Sequence, residues 1–278
     1  MKLNKKAKVL LALAGMTFMA SAANAAVTSG GNTPNTDLTT TNGDLILSVA
    51  GSQTGTGNPV DLEFDLGLAS AFTGSVNLSS TVLAADLNSV FGSAWYTSGA
   101  LTWAVVGTTK PVTIGTKSDT VYATSAASTP GTSGAFGAFT ITGLAASAGT
   151  PIKGMDNFLS QAGTAAQGDN VSAAMVLQSV SSSYTSAEGS NTNSFGLGQS
   201  VDGQLGGSSG AQVLDLYQIV GGGADTLLGT FTIASTGPTN ATVTFTAVPE
   251  PSTYAMLGLG AFGLYFLARR KRQFNFAN

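Results

Sequence analysis

The sequence predicts an all-β ectodomain, a β-sandwich or jelly roll, flanked by a signal peptide and a single C-terminal transmembrane helix. Two observations predict the β fold. Short alternating or β-branched runs recur along the middle of the chain, and clusters of Gly, Asn and Ser separate them. Charged residues make up only 9% of the chain, whereas soluble domains usually contain roughly 25%. A surface solvated by hydroxyls and amides suits a loop-rich β protein outside the cell.

The predicted ectodomain spans residues 43–248, after a flexible lead-in over residues 26–42 that has almost no apolar period. A core of this size commonly forms one all-β domain. The predicted strands are Asp44 to Val49, Val60 to Leu66, Leu101 to Val106, Val112 to Gly115, Thr120 to Ala123, Ala135 to Thr142, Val171 to Val180, Val213 to Val220, Leu227 to Ile233 and Thr242 to Val248.

Two stretches interrupt the β pattern. Residues Asp86 to Gly92 predict one or two helical turns, with Asp86 as the N-cap and Gly92 as the terminator. The side chains expected to face the core are Leu83, Leu87, Val90 and Phe91. A second short helix is predicted over Met155 to Ala166. Residues 181–210, rich in Ser, Gly and Asn, predict a long loop, and Gly221 to Gly223 predict the turn of a β-hairpin.

The first 25 residues have the pattern of a secretory signal peptide. A basic region is followed by an apolar run from Val9 to Ala20 and by small residues that end in Ala23-Asn24-Ala25. We expect export by the Sec translocon and cleavage by signal peptidase after Ala25, because Ala23 and Ala25 form the A-x-A pattern. The apolar run is short for an uncleaved membrane anchor, which needs about 20 residues.

Residues 249–278 contain three parts in a fixed order. The prolines of Pro249-Glu250-Pro251 disfavour helix and strand ladders, so this segment should be extended and accessible. The apolar stretch 253–268 would span about 24 Å as a helix, which is short for a hydrocarbon core of about 30 Å. The basic cluster at residues 269–272 should stay in the cytoplasm and keep the bulk of the chain outside. Its members are Arg269, Arg270, Lys271 and Arg272.

A proline handle, a short apolar helix and a basic cluster in this order resemble the tripartite tail of the PEP-CTERM sorting family. The resemblance implies that Pro249, Glu250 and Pro251 are recognised by an exosortase, a membrane protease or transpeptidase of Gram-negative bacteria that make exopolysaccharide. It also implies that the ectodomain is anchored in the inner membrane before processing and then moves to the cell surface or matrix. The alternative is a plain single-span anchor that is never processed.

The composition excludes several kinds of chemistry. The chain contains no Cys and no His, so disulfides, thiolate metal sites and Ser-His-Asp or Cys-His catalysis are excluded. Residues 26–248 contain three basic and 13 acidic residues, a net charge of −10. Such an acidic surface repels phosphate backbones, so we expect no nucleic-acid partner.

Asp61, Glu63 and Asp65 alternate along one predicted strand with apolar residues. The alternation places three carboxylates on one face, which we interpret mainly as a solvated strand face. A weaker hypothesis is that they bind Ca²⁺ with help from loop carbonyls, since neighbours two residues apart are about 6.7 Å apart. Two carboxylates are also the requirement of a glycan hydrolase.

Trp95, Tyr96 and Trp103 could form a sugar-stacking platform, although their apolar neighbours favour packing in the core. The segment 206–210 matches the G-x-S-x-G pattern of a hydrolase nucleophile elbow. Because the chain has no His to activate the serine, we interpret this match as a chance product of a Gly-Ser tract.

The sequence therefore predicts an exported, exosortase-processed surface or extracellular-matrix protein that is not an enzyme, needs no cofactor and is associated with exopolysaccharide. The alternative is a calcium-assisted carbohydrate-binding module or a two-carboxylate glycan hydrolase. It would use Asp61, Glu63 and Asp65 together with the aromatic rings of Trp95 and Trp103.

Overall fold

The computed structural model describes residues 43–77, 81–109, 120–126, 131, 136–155, 173–189, 194–197, 200–206, 212–248 and 262. The chain divides into two compact units, Met1–Ala247 and Val248–Asn278. Apart from Val248 and Phe262, every described residue belongs to the first unit. The predicted signal peptide, the lead-in, the strand from Val112 to Gly115 and nearly all of the helix from Met155 to Ala166 lie outside the described residues.

The described part of the first unit contains ten strands. They are β1 (Asp44–Ser52), β2 (Pro59–Leu68), β3 (Val76–Asn77), β4 (Leu101–Thr108), β5 (Thr120–Ser125), β6 (Ala173–Leu177), β7 (Gly203–Leu205), β8 (Gln212–Val220), β9 (Thr226–Gly237) and β10 (Asn240–Ala247). All pairings are antiparallel in one sheet of order β3-β10-β9-β8-β5-β4-β1-β2-β6, with β7 beside β4. The prediction of a mainly β domain is confirmed, and its assignment as a sandwich or jelly roll stays a prediction.

Short helices accompany the sheet. They are α1 (Thr81–Phe91), α2 (Ile141–Leu144) and α3 (Tyr184–Gly189). After α2 the chain continues through a wider π turn, Ala145–Gly149, into helical residues 150–155. Two 3₁₀ turns lie at Ala69–Ala71 and Ser194–Gly196.

The inner face of the sheet carries the larger apolar core. The sheet curls around α1, so side chains from β1 and β2 belong to the same cluster as side chains from β9 and β10. Phe231 is one of three mutually packed rings, with its ring centroid 5.6 Å from that of Phe72 and 4.9 Å from that of Phe245. Because the domain has no disulfide, burial of this core must supply much of its stability.

The outer face of the sheet is also buried, but only over part of its width. Side chains of β1, β4, β5 and β8 pack there against α3 and the helical residues 141–155. This second core contains Ile46 and Val106 from the sheet. It also contains Leu144, Ile152 and Tyr184 from the helical segments that cover the sheet. Together the two faces leave β1, β2, β4 and β5 with almost no exposed residues.

Helix α1 corrects one prediction and confirms another. It has 11 residues, so Asp86 lies inside the helix, and its predicted role as N-cap is wrong. The helix ends where predicted, because Gly92 has a φ of +78° that favours glycine. Leu83, Leu87 and the other predicted core side chains are buried.

The structure contradicts two further predictions. The strand predicted from Ala135 to Thr142 is wrong, because helix α2 begins there and the Thr140 hydroxyl accepts a hydrogen bond from the Gly143 N–H. Residues 181–210 are not one loop, since they contain α3, a 3₁₀ turn and β7. The predicted hairpin across Gly221 to Gly223 is confirmed by the pairing of β8 with β9.

Replacing Phe231 with Ala should strongly destabilise the domain. Its side chain is fully buried and contacts two other rings, so the substitution leaves a cavity and costs about 3–5 kcal/mol of unfolding free energy. Urea unfolding followed by tryptophan fluorescence measures the loss. Thr236→Ala, at an exposed position of the same strand, should change stability by less than about 0.5 kcal/mol. Equal effects of the two substitutions would contradict this account of the core.

Candidate functional site

The three acidic residues of β2 are buried. Asp61, Glu63 and Asp65 lie on the outer face of the sheet and are 0%, 0% and 2% exposed. The interpretation of a solvated strand face is therefore wrong. The segment 178–189, which includes α3, lies over this part of β2 and makes hydrogen bonds to Asp61 and Glu63.

Asp61 binds the beginning of α3. Its carboxylate accepts hydrogen bonds from the Thr185 N–H and the Thr185 hydroxyl, each at 2.7 Å, and from Gln178 Nε2 at 3.0 Å. Burial raises the pKa of Asp61, while the hydrogen bonds from Thr185 and Gln178 oppose that rise. The carboxylate thus satisfies backbone and side-chain donors that would otherwise be buried without partners.

Glu63 lies deeper in the same region. Its Oε1 atom accepts a hydrogen bond from the Tyr184 N–H at 2.8 Å, whereas its Oε2 atom is buried without a partner in the described part of the chain. Burial, followed by the charge of nearby Asp61, raises the pKa of Glu63 well above its ordinary value. Burial with a single hydrogen-bond donor therefore favours the neutral form of the Glu63 carboxyl group.

Asp65 differs from its two neighbours. It accepts a hydrogen bond from the Gly67 N–H at 2.8 Å, two residues further along the chain. The structure brings Asp61 and Glu63 together beneath the same segment, and Asp65 is bound to the end of its own strand.

A second carboxyl pair, which the sequence did not reveal, joins Glu188 of this segment to Asp202. Glu188 and Asp202 are hydrogen-bonded to each other, and the Tyr184 hydroxyl donates a hydrogen bond to Asp202. Burial, followed by the charge of Asp202, raises the pKa of Glu188 to about 7. Burial also raises the pKa of Asp202. The pair therefore binds a proton below about pH 7 and releases it above that pH. The available sequence signal was weak: Glu188 is an isolated acid in a Ser-rich stretch.

The acidic residues have a structural role that can be read from their contacts. The oxygens of Asp61 and Oε1 of Glu63 are occupied by protein donors. Among the described residues, no group of three acidic, His or Cys side chains could hold a metal ion. Calcium binding by Asp61, Glu63 and Asp65 stays a prediction, and it would require Thr185, Gln178 and Tyr184 to give up their hydrogen bonds.

The two tryptophans are core residues, as their apolar neighbours favoured. Trp95 is 1% exposed and donates a hydrogen bond to the Pro238 carbonyl at 3.2 Å, and Trp103 is 0% exposed. Stacking on a sugar requires an open ring face, and neither indole offers one. Tyr96 is half-buried beside Trp95.

The remaining predicted site residues fall largely outside the described residues. Of the G-x-S-x-G segment only Gly206 is described, with a φ of +83° directly after β7. The other predicted site residues lie outside the described residues. They are Ala23, Ala25, Pro249, Glu250, Pro251 and the basic residues 269–272. The described residues include no helix with the length and hydropathy of a membrane span.

The carboxyl pair makes stability depend on pH. In the unfolded chain Glu188 should lose its proton near pH 4.5, but in the folded chain it does so near pH 7. The contribution of Glu188 to the free energy of unfolding should therefore decline from about pH 4.5 to about pH 7 and then level off, while the raised pKa of Glu63 adds a decline of its own. Because Glu188 is partly exposed, we expect a decline on the order of 1–2 kcal/mol.

Chemical denaturation at pH 4.5, 6 and 8 measures this decline, and Glu188→Gln should reduce it. The matched control is Glu250→Gln, which lies in the second unit and should keep the dependence of the unsubstituted chain. A Glu188→Gln variant with an unchanged pH dependence would show that another group is responsible.

Comparison with known proteins gives one result. No curated protein and no solved structure matches the chain. Residues 247–272 match the family model of the PEP-CTERM protein-sorting motif. This match begins at Ala247, the last residue of β10, and contains the Pro249-Glu250-Pro251 handle and the basic cluster. The chain thus carries a PEP-CTERM sorting motif, which indicates an exported protein that an exosortase targets and processes.

Proposed function

We propose that this chain is a non-enzymatic surface or extracellular-matrix protein of a Gram-negative bacterium, associated with exopolysaccharide. The observation that carries the proposal is the PEP-CTERM motif at residues 247–272, which follows the last strand of the folded domain in sequence. In this proposal the β domain is the delivered part, and the tail directs its delivery.

The proposed route has two processing steps. The Sec translocon exports the chain and signal peptidase cuts after Ala25, as the pattern of residues 1–25 predicts. The apolar stretch 253–268 then holds the chain in the inner membrane, with the basic residues 269–272 on the cytoplasmic side. The exosortase cuts near Pro249-Glu250-Pro251 and releases or transfers the ectodomain.

The contacts of the buried acids support a structural domain. Asp61 and Glu63 are hydrogen-bonded beneath α3, where they hold one part of the fold to another. The chain lacks His and Cys, so the commonest general base and the thiol nucleophile are missing.

One observation favours the hydrolase alternative. Glu188 and Asp202 share a proton near pH 7 and are only partly buried, and such a pair has the protonation that acid–base catalysis requires. Its direct contact differs from the wider spacing of glycosidase carboxyl groups, roughly 5–10 Å. We therefore favour the structural role. Release of new reducing ends from host exopolysaccharide, abolished in Glu188→Gln, would overturn this choice.

The sorting proposal is tested by replacing Glu250 with Ala in the native host. The unsubstituted chain should yield a mature species that lacks the residues beyond the Pro249 region and is recovered from the surface or matrix. The variant should accumulate in the membrane with its C-terminal segment intact, because the handle is disrupted. Intact mass and cell fractionation measure both outcomes.

Thr236→Ala is the control, since this exposed residue of β9 lies outside the matched motif and should be processed normally. If Glu250→Ala and the unsubstituted chain both retain the C-terminal segment, the tail is a plain anchor and the proposed route is wrong.

A further inference from the structure

Strands β9 and β10 present an ordered set of threonines on the outer face of the sheet. Their apolar side chains point inward to the core, and the residues between them point outward. We call the outward set the threonine face, and its members are Thr230, Thr232, Thr242, Thr244 and Thr246.

The register brings these threonines side by side. Thr244 is directly opposite Thr232, and Thr246 is directly opposite Thr230. Neighbours along a strand are about 6.7 Å apart, and adjacent strands are about 4.8 Å apart. The hydroxyl and methyl groups therefore form a regular grid of two adjacent rows.

The threonine face lies beyond the cover of the second core. The buried members of that core include Tyr217 and Ile219 of β8 but none from β9 or β10, and Leu227 near the start of β9 packs against it as a partly buried residue. Thr246 is exposed, and the other four threonines are half-buried. Solvent thus reaches all five side chains.

The hydroxyl groups of this face are not used by the described part of the fold. No side-chain hydrogen bond of the five threonines is found among the described residues. A threonine hydroxyl offers one donor and two acceptor positions. The face can therefore exchange several hydrogen bonds with a partner without breaking any that stabilise the described fold.

The face is also rigid. Phe231 and Phe245 lie directly beneath it, with ring centroids 4.9 Å apart. Threonine is β-branched, and its χ1 angle is restricted in a strand. A partner therefore meets groups that lose little conformational entropy on binding.

The absence of charged residues on the threonine face favours an uncharged partner. No charged residue occurs between 226 and 248, and Asp215, the acid opposite Thr230 on β8, is buried. Residues 26–248 as a whole carry a net charge of −10, which repels nucleic acids, acidic glycans and anionic membranes. A face of uncharged hydroxyl and methyl groups suits a neutral partner rich in hydroxyl groups.

We propose that the threonine face binds a neutral polysaccharide chain. Its hydroxyls exchange hydrogen bonds with the sugar hydroxyls, and its methyl groups contact the C–H surfaces of the rings. This inference rests on the proposed matrix function and names the surface and the ligand class through which the domain is retained there.

The test measures binding of the protein, purified from its own host, to the immobilised neutral and acidic fractions of that host's exopolysaccharide. The double variant Thr232→Val and Thr244→Val keeps the β-branched shape but removes two hydroxyls. It should bind the neutral fraction at least about tenfold more weakly, since the hydrogen bonds of two hydroxyl groups to the sugar are lost.

Two further variants isolate the role of the hydroxyls. Thr232→Ser with Thr244→Ser retains them and should keep most of the affinity. Thr54→Val with Thr102→Val removes two hydroxyls at exposed positions outside β9 and β10 and should bind as the unsubstituted protein does. Thermal unfolding of each variant establishes that the fold is intact.

The inference is overturned if the protein binds neither fraction, if it prefers the acidic fraction, or if the threonine-face valines bind normally. The recovery of the unsubstituted protein from the matrix of its host separates the two proposals. A protein found in the matrix whose valine variant is retained equally well refutes only the threonine face. A protein that never reaches the surface or matrix refutes the proposed function, whatever it binds after purification.

Discussion

The fold depends on burying four adjacent strands of one antiparallel sheet on both faces. Strands β1, β2, β4 and β5 have almost no exposed residues, and no disulfide stabilises the domain. The inner face is covered because the sheet curls around α1. The outer face needs a separate cover of short helices, and such segments have backbone groups that require partners. The carboxyl groups of Asp61 and Glu63 provide these partners for the start of α3.

This constraint explains which predictions from the sequence succeeded. The β content, the β8–β9 hairpin and the end of α1 follow from local signals: alternation, a glycine turn and a glycine with positive φ. The burial of Asp61 and Glu63 could not be predicted in this way. An alternation of acidic and apolar residues is typical of a half-exposed strand, and the donors that bind these acids lie more than 115 residues later in the chain. The pairing of Glu188 with Asp202 likewise requires the tertiary fold.

The two compact units place different requirements on their sequences. The tail must present a short motif to a membrane enzyme, so its pattern is short and can be recognised from the sequence alone. The β domain must remain folded outside the cell with few charges and no covalent cross-links. The PEP-CTERM motif therefore indicates export and processing by an exosortase, whereas the threonine face of β9 and β10 is the surface that we propose contacts the matrix.

The central claim is that an exosortase delivers this domain, and its most direct test is deletion of the exosortase from the native host. An antibody raised against the β domain would follow the protein through membrane, surface and matrix fractions of both strains. We expect a shortened species at the surface or in the matrix of the parent, and a longer, membrane-retained species in the deletion strain. The same mature mass and distribution in both strains would contradict it.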